Sequence, residues 1–123
     1  MELIESKYND KLNSLIPQFN KRGIDLGLER IKNALDELGN PCCQTPAIHI
    51  AGTNGKGSIA SFLQSALNSS GIKAGVTTSP HLINWCERIS INKKNISSKT
   101  FIEIIEDILP LSERHNLTPF ELI

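Results

Sequence analysis

The chain has 123 residues, and its 13 lysines and arginines balance 13 aspartates and glutamates, so the formal net charge is zero. That length suffices for one domain with a real core, and the charge balance gives no general pull toward nucleic acid or an anionic membrane. No apolar run is long enough to span a bilayer, and Met1-Glu2-Leu3-Ile4-Glu5 is acidic where a secretory leader is basic, so the expected compartment is the cytoplasm.

Tyr8, Leu12, Leu15 and Ile16 recur at helical spacing until Pro17. A second helix is predicted from Asp25 as a cap, with Leu28, Ile31, Leu35 and Leu38 on one face and Gly39 at its end. Residues 40–46 form a polar, proline-containing connection that contains Cys42 and Cys43. With Cys86 these make three cysteines without a CxxC spacing, and His49, His81 and His115 are scattered, so no zinc site is expected.

The pattern changes at residue 47. Ala-Ile-His-Ile-Ala over 47–51 reads as a buried strand. Gly52, Thr53, Asn54, Gly55, Lys56, Gly57 and Ser58 follow, and then Ile59, Phe62, Leu63, Ala66 and Leu67 mark one face of a helix closed by Gly71. Residues 72–78 read as a second strand. Strand, glycine-rich turn, helix and strand form a βαβ unit, so the predicted class is α/β with a parallel sheet behind the leading helices. Residues 88–91 and a turn over 92–95 predict a small hairpin. Ser97 or Ser98 then caps a helix with Phe101, Ile104, Ile105, Ile108 and Leu109 on its stripe, which Pro110 is expected to stop.

The chemistry concentrates in residues 52–58. A helix amino terminus offers unpaired N–H groups and the positive end of a dipole. Glycines at 52, 55 and 57 let the backbone approach a polyphosphate. Lys56 can place a charge on the β- and γ-phosphates, and Ser58 offers a hydroxyl to phosphate or magnesium. The plainer reading is a turn that joins strand to helix and binds nothing. The general P-loop pattern wants Ser or Thr directly after the lysine; here Gly57 intervenes, and position 50 is Ile.

This variant, TNGKGS after HIAG, resembles the ATP loop of the Mur ligase family, within its folylpolyglutamate synthase and dihydrofolate synthase branch. Three further stretches carry the resemblance: Ile24-Asp25-Leu26-Gly27-Leu28-Glu29-Arg30, Thr78-Ser79-Pro80-His81-Leu82 with Glu87-Arg88-Ile89, and Thr118-Pro119-Phe120-Glu121. The resemblance implies an ADP-forming ligase that uses ATP and magnesium to join L-glutamate to dihydropteroate or a folate. It implies ATP contacts at Gly52, Thr53, Asn54, Gly55, Lys56, Gly57 and Ser58 and a magnesium ligand at Ser79 beside Ser58. The pteridine substrate would be bordered by Asp25, Leu26, Gly27, Leu28, Thr118, Pro119, Phe120 and Glu121.

Plainer readings stand beside these: Ser79-Pro80 as turn chemistry, Leu26 and Leu28 as core, Glu87-Arg88 as a surface ion pair, and Trp85 as a core filler. Asn84 stands where an arginine is common in the branch. A non-catalytic nucleotide module and a cell-wall Mur ligase are the alternative functions. Residues 1–46 read as a helical lead-in and 47–123 as an incomplete α/β core. Thr118 to Glu121 carries every helix start signal, a capping box with Pro119 at the first position, yet the sequence stops two residues on. One turn cannot sustain itself, so the chain is expected to be cut short and, alone, to form no folate amide bond.

Overall fold

The computed structural model describes residues 2–16 and 27–123; the expectations placed on Asp25 and Leu26 lie outside them. The chain groups into two compact units, Met1–Ala47 with Ile102–Ile123, and Ile48–Phe101.

In the first unit, helix α1 runs Glu2–Leu15 and buries Leu12, followed by buried Ile16. Helix α2 runs Glu29–Glu37, with Leu28 at its N-cap and no side-chain cap. Glu29 supplies negative charge in the first turn. The carboxyl end follows the expectation at Gly39, whose φ is 75°. Gly39 N–H donates to Asp36 O at 3.0 Å and Asn40 N–H to Leu35 O at 2.8 Å, which completes a Schellman closure. Ala34, rather than the larger apolar residues of the predicted face, is the buried residue of α2, and it clusters with Leu111, Leu117 and Ile108.

Helix α4 runs Ser98–Arg114. Thr100 N–H donates to Ser97 Oγ at 3.1 Å, so the cap falls on Ser97. Pro110 lies inside α4 and does not stop it. A proline in a helix interior costs about 3 kcal/mol, and the next turn offsets this by burying Leu111 and Ser112. Helix α5, Pro119–Leu122, starts with the predicted reciprocal cap: Glu121 N–H donates to Thr118 Oγ1, and Thr118 N–H to Glu121 Oε2 at 2.8 Å. Leu117 and Leu122, at the staple positions, are both buried. Glu37 joins the carboxyl ends of α2 and α4 through Arg114 and His115.

In the second unit, helix α3 runs Lys56–Ser69 and closes on Gly71, whose φ is 77°. Strands β1 (Gly75–Thr77), β2 (Ile89–Ile91) and β3 (Lys94–Asn95) form a sheet in that order. Both pairings are antiparallel. Asn92 and Lys93 both have positive φ, 50° and 65°, the geometry of a tight hairpin turn.

Two expectations change here. Residues 47–51 form no strand, and no parallel pairing occurs among the described residues. A strand exists only against a neighbour; this run has none in the sheet, and Ile48 is 66% exposed. Second, α3 is turned away from its predicted face. Ala60 and Gln64 are buried, whereas Ile59 and Phe62 are 48% and 74% exposed. Register explains this: Val76 opposes Ser90, and Ser90 opposes Asn95, so with Thr78 they share one largely polar sheet face. Gln64 Nε2 meets that face, donating to Ala74 O at 3.1 Å and Ser90 Oγ at 3.2 Å.

Candidate functional site

Gly55 is the N-cap of α3 with φ 78° and ψ −2°, a left-handed conformation that L side chains resist. The first intrahelical bond runs from Ile59 N–H to Gly55 O at 2.9 Å. The N–H groups of Lys56, Gly57 and Ser58 therefore have no acceptor within the helix, and the dipole's positive end lies on them. A Cβ on Gly57 would meet nothing within 4 Å. Alanine there would favour the helix by about 1 kcal/mol, so the internal packing does not demand this glycine, and it leaves the helix end bare to an approaching group. Lys56 Nζ donates back to Gly52 O at 2.6 Å and Thr53 O at 3.3 Å, so its ammonium rests on the loop it follows. Residues 52–58 are all exposed.

A cleft of about 280 Å³ opens beside Gly57, and its walls include Ser61, Gln64, Thr78, Ser90 and Lys93. The two predicted magnesium hydroxyls, Ser58 and Ser79, are thus the chain neighbours of two residues of one cleft. Gln64, Lys93 and Asn95 of this cleft were not found by sequence reasoning; the only signal was a glutamine four residues after Ala60 in an apolar helix.

Ser79 is exposed and begins a strongly tied loop. Thr78 N–H donates to Arg88 O at 2.9 Å. Glu87 is not the half of a surface ion pair that its sequence position suggests. Its carboxylate accepts N–H groups from Leu82, Ile83 and Asn84, each at 2.8 Å, and these backbone donors hold its pKa below the ordinary carboxylate value. Arg88 is buried at 8% exposure. Its Nε donates to His81 Nδ1 at 2.8 Å and its guanidinium lies 4.8 Å from the Trp85 ring centre. The His81 ring is 4.4 Å from that of Trp85. Burial, and then the Arg88 charge, lower the His81 pKa against the opposing pull of Glu87. Trp85 is buried, as a core filler should be.

The other predicted contacts lie in the first unit. Gly27 and Leu28 are exposed at the start of α2. The structure ties this stretch to residues 118–121 through Arg30, whose Nε and a terminal nitrogen each lie 3.3 Å from a Glu121 carboxylate oxygen. Burial raises the Glu121 pKa, but bonds from Thr118 and Arg30 outweigh it and the net shift is downward. Pro119 is buried and Thr118 half-buried, while Phe120 is exposed beside the Glu121 brace. Sequence reasoning missed Arg30 as the link.

A helix terminus with bare N–H groups, a lysine on the loop and a polar cleft beside it together have the chemistry that an anionic group such as a phosphate requires. No protein-family model matches the chain. It is 41% identical over 102 residues to a dihydrofolate synthetase of Saccharomyces cerevisiae, covering 81% of this chain and 24% of that one. It is 38% identical over 100 residues to a dihydrofolate synthase/folylpolyglutamate synthase of Bacillus subtilis, covering 81% and 23%. The solved folylpolyglutamate synthase of Mycobacterium tuberculosis, complexed with ADP and AMPPCP, superposes with a TM-score of 0.85 at 33% identity, over 96% of this chain and 27% of that one. The chain belongs to the folylpolyglutamate synthase and dihydrofolate synthase family, with the Mur-ligase-like α/β fold of its members. It spans about a quarter of the length of the curated relatives it matches.

Proposed function

We propose that this chain is the ATP-handling part of a ligase that adds L-glutamate to dihydropteroate or to a folate. The observation that carries the reading is the α3 terminus: Gly55 in a left-handed cap, three N–H groups without helical acceptors, and Lys56 on the loop, in a family whose solved member holds ADP and AMPPCP.

In this reaction a carboxylate oxygen attacks the γ-phosphorus of ATP, ADP leaves, and the glutamate amine then displaces phosphate from the acyl phosphate and loses a proton. Residues of this chain neutralise and orient the polyphosphate. The N–H groups of Lys56, Gly57 and Ser58 receive phosphate oxygens, and Lys56 Nζ leaves its two loop carbonyls for the β- and γ-phosphates. The hydroxyls of Ser58 and Ser79 would hold magnesium, which supplies further neutralisation of phosphate charge. Two hydroxyls beside phosphate oxygens and water suit an ion that keeps several waters and takes few protein ligands. Leu28 and Phe120 offer exposed apolar surface for a flat pteridine, on segments that Arg30 and Glu121 join. Asp25, Leu26, Gly27, Thr118, Pro119 and Glu121 complete the substrate-side assignment.

The test is titration of the chain with a fluorescent ADP analogue and Mg2+. Lys56→Ala should weaken binding at least tenfold without altering the circular dichroism spectrum. Equal affinity in the variant would sink the role of Lys56.

A further inference from the structure

Ser79 lies between two attachments that converge on one residue. On its amino side, Thr78 N–H donates to Arg88 O at 2.9 Å. Two residues on, His81 Nδ1 accepts from Arg88 Nε at 2.8 Å. Arg88 is itself fixed, buried and stacked against Trp85, and the His81 ring lies against the same indole. Beyond His81, the Glu87 carboxylate holds the next three N–H groups. Proline already restricts the backbone of the serine before it, and here both flanks are also tied to a single buried guanidinium residue.

We propose that Arg88, acting through His81, positions Ser79 for a metal-bound polyphosphate. Arg88 and His81 are positioning residues and do not touch the nucleotide. The inference rests on the assignment of Ser79 to the metal side of the site, and it goes beyond that assignment by stating what presets the serine. A hydroxyl ligand contributes most when its orientation is fixed before the ion arrives, because the ordering cost then falls on folding and not on binding.

His81→Phe keeps a ring against Trp85 and removes the ring nitrogens, among them the Nδ1 that accepts from Arg88. His81→Asn returns an acceptor close to the Nδ1 position. The measurement is the Mg2+ concentration for half-maximal binding of a fluorescent ADP analogue to the 123-residue chain, with nucleotide affinity in EDTA as the second readout. His81→Phe should raise the Mg2+ requirement roughly tenfold, the lower end of the effect of losing a residue that supports a metal ligand. Affinity in EDTA should stay unchanged, and His81→Asn should recover most of the loss. Ser79→Ala should raise the requirement similarly, and the Ser79→Ala/His81→Phe double variant should go no further, since both act through one hydroxyl. Arg88→Lys, whose shorter reach breaks the bond to His81, provides the second line if its spectrum remains native.

If the parent binds no nucleotide, or Ser79→Ala leaves the Mg2+ requirement unchanged, the reading of the site fails and the positioning role with it. If Ser79→Ala raises the requirement and His81→Phe does not, or if the two effects add in full, the positioning role alone is overturned.

Discussion

Replacing Pro110 by alanine should stabilise the protein. The residue is exposed and lies inside α4, four residues before Arg114. Alanine restores an N–H opposite the carbonyl of Glu106, a bond of about 1 kcal/mol net, and removes the clash between ring and carbonyl. The ceiling is the roughly 3 kcal/mol that separates proline from alanine in a helix interior. Since no buried surface is lost, the gain should be about 1–3 kcal/mol. With a urea dependence of about 2 kcal/mol per molar, a gain of about 2 kcal/mol moves the unfolding midpoint by roughly 1 M. Leu111→Ala supplies the opposite control: it removes a buried residue of the Ala34–Leu117 cluster and should cost about 2–5 kcal/mol. A Pro110→Ala midpoint at or below the parent's, with an unchanged urea slope, would refute the claim that packing after residue 110 carries the helix across a real break.

Gly55→Ala places a Cβ on a left-handed residue at the α3 cap; it should cost about 1 kcal/mol of stability and weaken ADP binding, both measurable on one sample. Glu87 has its folded pKa depressed below the ordinary 4.5 by backbone donors. Its clamp is therefore fully formed above that pH and is lost as pH falls through the lower folded value. Amide exchange at Leu82, Ile83 and Asn84, corrected for its intrinsic pH dependence, should lose protection only below about pH 4.5; protection lost already above that pH would refute the clamp. Arg30→Ala should free Glu121 and raise its pKa toward the ordinary range, as a carboxyl NMR titration would show; an unmoved pKa would mean that the Thr118 cap alone sets it.

Much of the local structure was legible because local chemistry decides it. Gly39 and Gly71 close their helices in left-handed conformations, Asn92 and Lys93 turn the hairpin, and Thr118 with Glu121 forms the predicted box. The turn into α3 was equally legible, since Gly55 takes there the left-handed conformation that glycine adopts at least cost. What could not be read depended on partners distant in sequence. The Arg30–Glu121 link joins residues 91 apart. The Arg88–His81–Trp85 cluster arises only when the 79–88 loop folds on itself, and in the sequence Glu87-Arg88 looks like any adjacent pair of opposite charges.

The orientation of α3 shows why periodicity alone misplaces a face. Ile59, Phe62, Leu63, Ala66 and Leu67 do form an apolar stripe, but a stripe identifies what would benefit from burial and not what is present to bury it. The surface offered by β1–β3 is a largely polar row, Val76 with Thr78, Ser90 and Asn95, and a helix meeting that row gains more by satisfying buried polar groups than by adding methyl groups beside hydroxyls. Gln64 makes one such bond, to Ala74 O, and a second to the Ser90 hydroxyl. The same choice leaves Gly57 and Ser61 on the cleft side of α3, at the end where the unpaired N–H groups lie. The rotation that hides the glutamine thus also gives the loop of residues 52–58 a polar wall, so packing of the second unit and the setting of the proposed anion site follow from one helix orientation.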